Sequence, residues 1–364
     1  MKRLLCIVSN LNQGGAETFL MKMYRNIDRE KYQFDFCMMS DVVGKYEEEV
    51  ISLGGKLYRI PPKSQNPIKC FLAIKNIVKE NGYEYVMRVN EHSISVIDLI
   101  AAKLGGAKKL IMRSSNADSG SAKSRFLHKM FAFLPHNVPD VMIAPSTKAA
   151  LYTFGRKNVE NGKVTIVKNG LPVDDFVFSA GEREALRKEL NVENNFVVGH
   201  VGRFQKQKNH KFLVEIFNEI IKKNESARLV LVGGNGELMD ETKNQVKELG
   251  IEGKVIFLGN RNDVPKLLGA FDILVFPSFF EGMPNVVIEA QAASLPCVIS
   301  DTITDEADIT GMVEYLPLEK TAEEWAEKAI QQATKFERKD LREELYEKGY
   351  AIKTVVERFT ELVF

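Results

Sequence analysis

The 364 residues carry 45% hydrophobic and 27% charged side chains with a formal net charge of +1, which excludes a disordered or polyionic chain and leaves room for two packed domains. The charge is unevenly spread: residues 1–175 hold 26 Lys+Arg against 17 Asp+Glu, and residues 176–364 hold 24 against 32. A basic first half joined to an acidic second half suggests that the first faces something anionic, with two merely solvated halves as the competing reading.

The chain opens on MKRLLCIVSN, whose apolar run is too short for a signal peptide and reads as a first strand. No apolar run approaches the length of a membrane span. Cys6, Cys37, Cys70 and Cys297 show neither CxxC nor ligand spacing with His, so they read as small core residues in a reducing, cytoplasmic setting. Short apolar runs then predict strands at Leu4–Val8, Phe34–Met38, Lys56–Ile60, Tyr85–Val89, Lys109–Met112 and Val141–Ala144. In the second half they fall at Phe196–Val201, Ala227–Val232, Val255–Leu258, Ile273–Phe276 and Pro296–Ile299. Helical periodicity lies between them at Ala16–Asn26, Pro67–Glu80, Gly181–Leu190, His210–Lys223, Leu238–Leu249 and Glu323–Thr334, and residues 338–364 look helical. Strands alternating with helices predict an α/β protein with two doubly wound sheets. Turn signals place the boundary near Asn169–Phe176.

Four stretches after strand ends carry the chemistry. Gly14-Gly15-Ala16-Glu17-Thr18 follows the first strand and opens a helix, so its backbone can approach a phosphate, with a plain tight turn as the alternative, and the GxGxxG spacing is missing. Gly202-Arg203, with Lys208 five residues on, follows a second-half strand, where ligands of open α/β sheets bind. Both cations there suit a departing diphosphate, with a solvated basic loop as the alternative. Gly233 and Gly234 follow the next strand and permit close backbone approach, or form an ordinary turn; Asn260 and Arg261 repeat the geometry and can hold a nucleobase edge with main-chain groups. The strongest stretch runs from Pro277 to Ala290 and contains Glu281 and Glu289. If largely helical, it sets the carboxylates roughly 12 Å apart, too far for a glycosidase pair but matched to the span from a hexose across a diphosphate to a ribose. Two glutamates favouring a helix dipole are the structural alternative. No Asp-x-Asp occurs, so no metal grip on a sugar nucleotide is encoded and no metal is expected.

Together these stretches resemble family 4 of the retaining glycosyltransferases, and the members from bacterial exopolysaccharide and capsule clusters in particular. Similar to that subgroup are Gly14 to Thr18, Arg25 to Glu30, Ala290 to Ala293, Ser300 to Thr304 and Glu323 to Ala326. The resemblance implies the GT-B fold, two Rossmann-like domains facing a central cleft. Residues 1–172 would form an acceptor-binding domain and 173–349 a nucleotide-sugar domain, with helix 350–364 crossing back onto the first. It implies that Arg203 and Lys208 hold the donor pyrophosphate, Glu281 the sugar hydroxyls and Glu289 the ribose. Gly202, Gly233 and Gly234 would line the donor site. The backbone of Gly282, Met283, Pro284 and Asn285 would present N–H groups to sugar and phosphate, and Gly14 and Gly15 would meet the diphosphate from the other domain. The activity implied is metal-independent, retaining transfer of a hexose or N-acetylhexosamine from a UDP-sugar, the donor being substrate and no cofactor being needed. The acceptor would be a saccharide, lipid-linked through a polyprenyl diphosphate, in surface polysaccharide synthesis.

The pattern departs from the family where a His-x-His-Asn stretch is usual: here it reads Arg113-Ser114-Ser115-Asn116. An earlier His-x-His is Met87-Arg88-Val89, and His92 stands close by. Either the donor needs no imidazole contact or the enzyme is impaired. The stretch Lys123–Leu134 interleaves basic and apolar residues, which fits either an anionic membrane surface on the inner face of the cell membrane or packing on its own core. A sugar-nucleotide epimerase of the same architecture and a non-catalytic nucleotide-sugar-binding partner remain open as rival functions; nucleic acid is not an expected partner.

Overall fold

A computed structural model of the protein describes residues 1–12, 14–90, 93–114, 137–234 and 236–364. The chain divides into two compact units, one made of Met1–Gly170 with Gly349–Phe364 and the other of Leu171–Lys348.

The first unit is built on seven strands: β1 (Lys2–Val8), β2 (Tyr32–Met38), β3 (Leu57–Arg59), β4 (Tyr85–Asn90), β5 (Lys109–Ser114), β6 (Val141–Ala144) and β7 (Val164–Ile166). All neighbours pair in parallel, in the order β3-β2-β1-β4-β5-β6-β7. The two-residue period of a strand explains the apolar run of β1. Leu4, Cys6 and Val8 enter the core on one face, while Leu5 and Ile7 enter the core on the other. On the first face lies helix Gly15–Asn26, which buries Phe19, Leu20, Met23 and Tyr24. Helix Ile352–Val363 packs beside it through Val355, Val356 and Phe359, with Phe19 and Phe359 edge to face at 5.7 Å. Helices Pro67–Asn81 and Val96–Leu104 cover the other face.

In the second unit the strands are β8 (Val197–Val201), β9 (Arg228–Val232), β10 (Val255–Gly259), β11 (Ile273–Phe276), β12 (Cys297–Ser300) and β13 (Val313–Leu316). They too are parallel, ordered β10-β9-β8-β11-β12-β13. Helices His210–Lys223 and Ala322–Lys335 bury one face of this sheet; Trp325 is fully buried and meets Phe212 edge to face.

In both sheets the chain order reverses beside the first strand, between β1 and β4 and between β8 and β11. Loops leaving the two central strands depart to opposite faces there, which opens a crevice at their carboxyl ends. The expected elements appear within two residues of their sequence bounds. The short edge strands β7 and β13 were not anticipated, and the tail forms two helices, Arg342–Glu347 and Ile352–Val363, with Gly349 at φ +69 between them.

At the opposite end of the second sheet, Asp272 accepts from Val197 N at 2.7 Å and pairs with Arg183 and with Arg187 (3.2 Å), fixing helix Ala180–Glu189 beneath β8 and β11. Arg187 is buried, so Asp272→Ala leaves an uncompensated cation. The variant should lose about 3 kcal/mol of stability, visible as a lower melting temperature. A melting curve superimposable on the wild type would show that the network contributes nothing.

Candidate active site

The loops leaving β8 and β11 carry the candidate residues and are sewn together. Gln207 Nε2 donates to Phe280 O (2.8 Å), Phe279 N to Gln207 O (2.9 Å) and Asn209 Nδ2 to Pro277 O (3.1 Å). Between them the Lys208 ammonium donates to Glu281 Oε1 at 2.6 Å, and the two side chains are 18% and 10% exposed. Lys208 Nζ also stands 4.6 Å from the centroid of the Phe276 ring, an electrostatically favourable position for a cation. Arg203 is exposed at the start of the same loop, and its guanidinium forms no ion pair among the described residues. Sequence reasoning singled out Lys208 and Glu281 separately; the structure makes them direct partners. Gln207 and Asn209, which brace the loops, were missed, although amides flanking a candidate cation just past a strand end were a usable signal.

Close approach of backbone requires glycine at Gly233 and Gly236, while Gly202 borders a lysine stem that can shift. A Cβ on Gly202 would lie 3.2 Å from Lys208 Cγ, one on Gly233 would lie 2.1 Å from Gly202 O, and one on Gly236 would lie 2.2 Å from Phe204 O. Gly234 faces the Asn260 amide, 2.7 Å from where its Cβ would be. The space left by Gly233 and Gly234 is therefore taken up by the protein's own groups, which lets the loop after β9 pack under the Arg203–Lys208 loop. The Arg261 side chain is held by Asp263 (2.6 Å) and Glu189 (3.2 Å), and those carboxylates raise its pKa.

Helix Asn285–Ala292 follows the Glu281 loop, with Pro284 as its N-cap residue. This corrects two expectations. Only the last part of the Glu281–Glu289 stretch is helical, so a helical rise does not measure that separation. Pro284 has no N–H, so it cannot present the backbone donor expected of it. Glu289 is half-buried on the second turn. The helix is locked by Gln291, whose amide donates to Ala307 O (2.7 Å) and accepts from Ile309 N (2.8 Å), Thr310 N (3.1 Å) and Thr310 Oγ1 (3.0 Å). Thr302 Oγ1 donates to Ser278 O (3.1 Å), bracing the Glu281 loop from the end of β12.

Behind the pair lies a stack of buried rings. Phe276 stacks on His200 (5.3 Å), His200 meets His210 edge on (4.8 Å), and His210 stacks on Phe204 (4.3 Å). Burial, helped by the Lys208 charge, pushes His210 down to about 4; burial, then His210 and Lys208, hold His200 well below its usual value. Both rings are therefore neutral near neutral pH. In the unfolded chain a histidine titrates near 6.5, so as pH falls below that value the unfolded state takes up the proton first and stability drops until the folded pKa is reached. His210 alone should cost about 2 kcal/mol between pH 7 and 5. His210→Phe should lose less melting temperature over that interval than the wild type; equal losses would contradict the assignment.

In the first unit Gly14 caps helix Gly15–Asn26 without a side-chain hydrogen bond, and among the described residues nothing lies within 4 Å of where a Gly15 Cβ would point. Arg113 is buried at the end of β5, its guanidinium 3.7 Å from the Phe19 ring centroid and bonded to Asn169 Oδ1 at 2.8 Å. Burial lowers its pKa to about 9, opposed by the Glu17 charge. Arg88 pairs with Asp98 (2.8 Å) and donates to Ile7 O (3.0 Å), while Met87 is core. His92, Ser115, Asn116 and the stretch 123–134 lie outside the described residues. All four cysteines are buried thiols. Among the described residues no cluster of three or more His, Cys, Asp or Glu is arranged to hold a metal, and no helix is long and apolar enough to cross a membrane.

Comparison with known proteins agrees with this architecture. The family model for glycosyl transferases group 1 matches residues 182–351, the span that contains the ion pair. EpsF of Bacillus subtilis (strain 168), named as a glycosyltransferase, is 33% identical over 358 residues, covering 96% of this chain and 93% of its own. The Escherichia coli UDP-Gal:alpha-D-GlcNAc-diphosphoundecaprenol alpha-1,3-galactosyltransferase is 26% identical over 305 residues, 79% of this chain and 76% of that one. Among solved structures, Anabaena HepE in complex with UDP and glucose superposes with a TM-score of 0.77 at 19% identity, covering 99% of each chain. The chain belongs to the group 1 glycosyltransferases and is a glycosyltransferase of the GT-B fold.

Proposed function

We propose that this glycosyltransferase moves a hexose or N-acetylhexosamine from a UDP-sugar to a lipid-linked saccharide in surface polysaccharide synthesis, with retention at the anomeric carbon and without a divalent metal. The observation that carries the reading is the 2.6 Å contact of Lys208 with Glu281 at the β8/β11 switch point. In a nucleotide diphospho-sugar the terminal phosphate is bonded to the anomeric carbon, so its anionic and hydroxyl-rich parts are neighbours. A cation and a carboxylate one hydrogen bond apart match that juxtaposition: Lys208 faces the phosphate, and Glu281 accepts from sugar hydroxyls. Arg203, exposed on the same loop, adds the second positive charge. As the glycosidic bond breaks, negative charge grows on the departing diphosphate, and fixed cations stabilise it without reorganising. The departing phosphate oxygen takes the acceptor proton. Glu289 accepts from the ribose, and the N–H groups of Gly282, Met283 and Asn285 donate to sugar and phosphate. The UDP donor, the α-linked product and the diphosphoundecaprenol acceptor named for the E. coli relative support the choice of substrates.

A ligand that binds only the folded state raises its melting temperature by mass action. In a screen of UDP-, GDP- and ADP-sugars, a UDP-sugar should raise the melting temperature most. A shift confined to a GDP- or ADP-sugar would replace the donor assignment.

A further inference from the structure

His200 and His210 stand where packed hydrophobic residues would be expected to serve the core better. Both are buried to within 1%, yet among the described residues His200 Nε2 and both ring nitrogens of His210 have no hydrogen-bond partner. Leaving such atoms unpaired away from water is costly. Something other than packing keeps imidazoles in this stack.

The geometry around Gly202 indicates what that is. His200 Nδ1–H donates to Val275 O at 2.9 Å. That bond puts the proton on Nδ1 and leaves the lone pair on Nε2. The point where a Gly202 Cβ would sit lies 3.1 Å from His200 Nε2 and 3.2 and 3.3 Å from Lys208 Cγ and Cδ. The bare lone pair, the absent side chain of Gly202 and the lysine stem thus converge on one spot. Lys208 extends from there over Phe276, which also stacks on His200. The charged and titratable groups around the pair are Lys208, Glu281 and the two histidines themselves.

We propose that His200, seated on His210, is a positioning residue that sets the rotamer of Lys208 through its neutral, electron-rich Nε2 edge. The electron-rich edge bounds the Gly202 gap against which the lysine stem lies, and the Val275 bond keeps that edge turned toward the gap. His210 shields the far side of the ring from water and fixes its tilt. This inference rests on the assignment of Lys208 to the donor diphosphate and adds the element that holds Lys208 ready.

The test is a double-mutant cycle on the full-length enzyme, with kcat and KM for the UDP-sugar and the melting temperature as readouts. His200→Phe keeps the stacked ring but removes both nitrogens; His200→Asn keeps the donor to Val275 O but removes the ring and its lone pair. Each should lower kcat about tenfold or more, the scale of a misplaced catalytic group, with the melting temperature of His200→Phe unchanged or raised. In a Lys208→Ala background the same changes should alter turnover less than about twofold, because the group they act through is gone. Equal losses in both backgrounds, or wild-type turnover in His200→Phe, overturn the proposal. Should His200→Phe fail to fold, His200→Asn carries the cycle alone under the same two criteria. Wild-type-like turnover in Lys208→Ala alone overturns the donor-site reading itself, and this inference with it.

Discussion

Glu281→Ala and Lys208→Ala should each lower kcat by about 10²-fold or more, the scale for losing one preorganised contact to a transition state. The two side chains are partners in the structure, so each substitution also changes the other. Glu281 is buried; without Lys208 it becomes a buried carboxylate with no cation beside it, and its hydrogen bonding to a sugar is altered as well. Without Glu281, the Lys208 ammonium loses the 2.6 Å acceptor that anchors it. The double variant should therefore be only slightly worse than the more damaged single variant, because groups that act as a unit are strongly non-additive. Wild-type-like turnover in both single variants would remove this pair from the mechanism.

Gly233→Ala should be strongly damaging to the second unit. Its Cβ would fall 2.1 Å from Gly202 O and 2.8 Å from Gly202 C, both backbone atoms. No rotamer change can relieve that overlap, so the Gly202–Arg203 backbone must move. Gly202 N is itself bonded to Val232 O at 2.8 Å, so the shift also strains the link between β8 and β9. Roughly 3 kcal/mol of lost stability is expected for such overpacking. Since Arg203 and Lys208 ride on the displaced loop, a shift near 1 Å would cost about 10²-fold in turnover in whatever fraction remains folded. Thermal melting and kcat measured on the same preparation check both parts; an alanine variant with unaltered melting and turnover would mean that the close approach is not essential.

Much of the fold was legible because buried parallel strands are continuous apolar runs, as in Ile273–Phe276, and because helix Gly15–Asn26 shows a single apolar stripe. The edge strands escaped notice for the opposite reason. Val164–Ile166 has three residues, none fully buried, and Val313–Leu316 carries Glu314 and Tyr315 half-exposed in its middle. Lys208 and Glu281 stood out because each follows a strand end beside glycine. Their contact did not, since 73 positions separate them and only the β8/β11 pairing brings the loops together. Gly233 shows the limit of a composition argument. Glycine signals that something comes close, but not whether that something is substrate or the Gly202 carbonyl. His200 was hidden inside a run that reads as strand; a histidine in the middle of a buried parallel strand was the overlooked signal.

A crystal structure of the enzyme with a UDP-sugar tests the central assignment most directly. The pyrophosphate should lie within hydrogen-bonding reach of Lys208 Nζ, with sugar hydroxyls on the Glu281 carboxylate. A nucleotide sugar bound elsewhere, with neither side chain touching it, would contradict it.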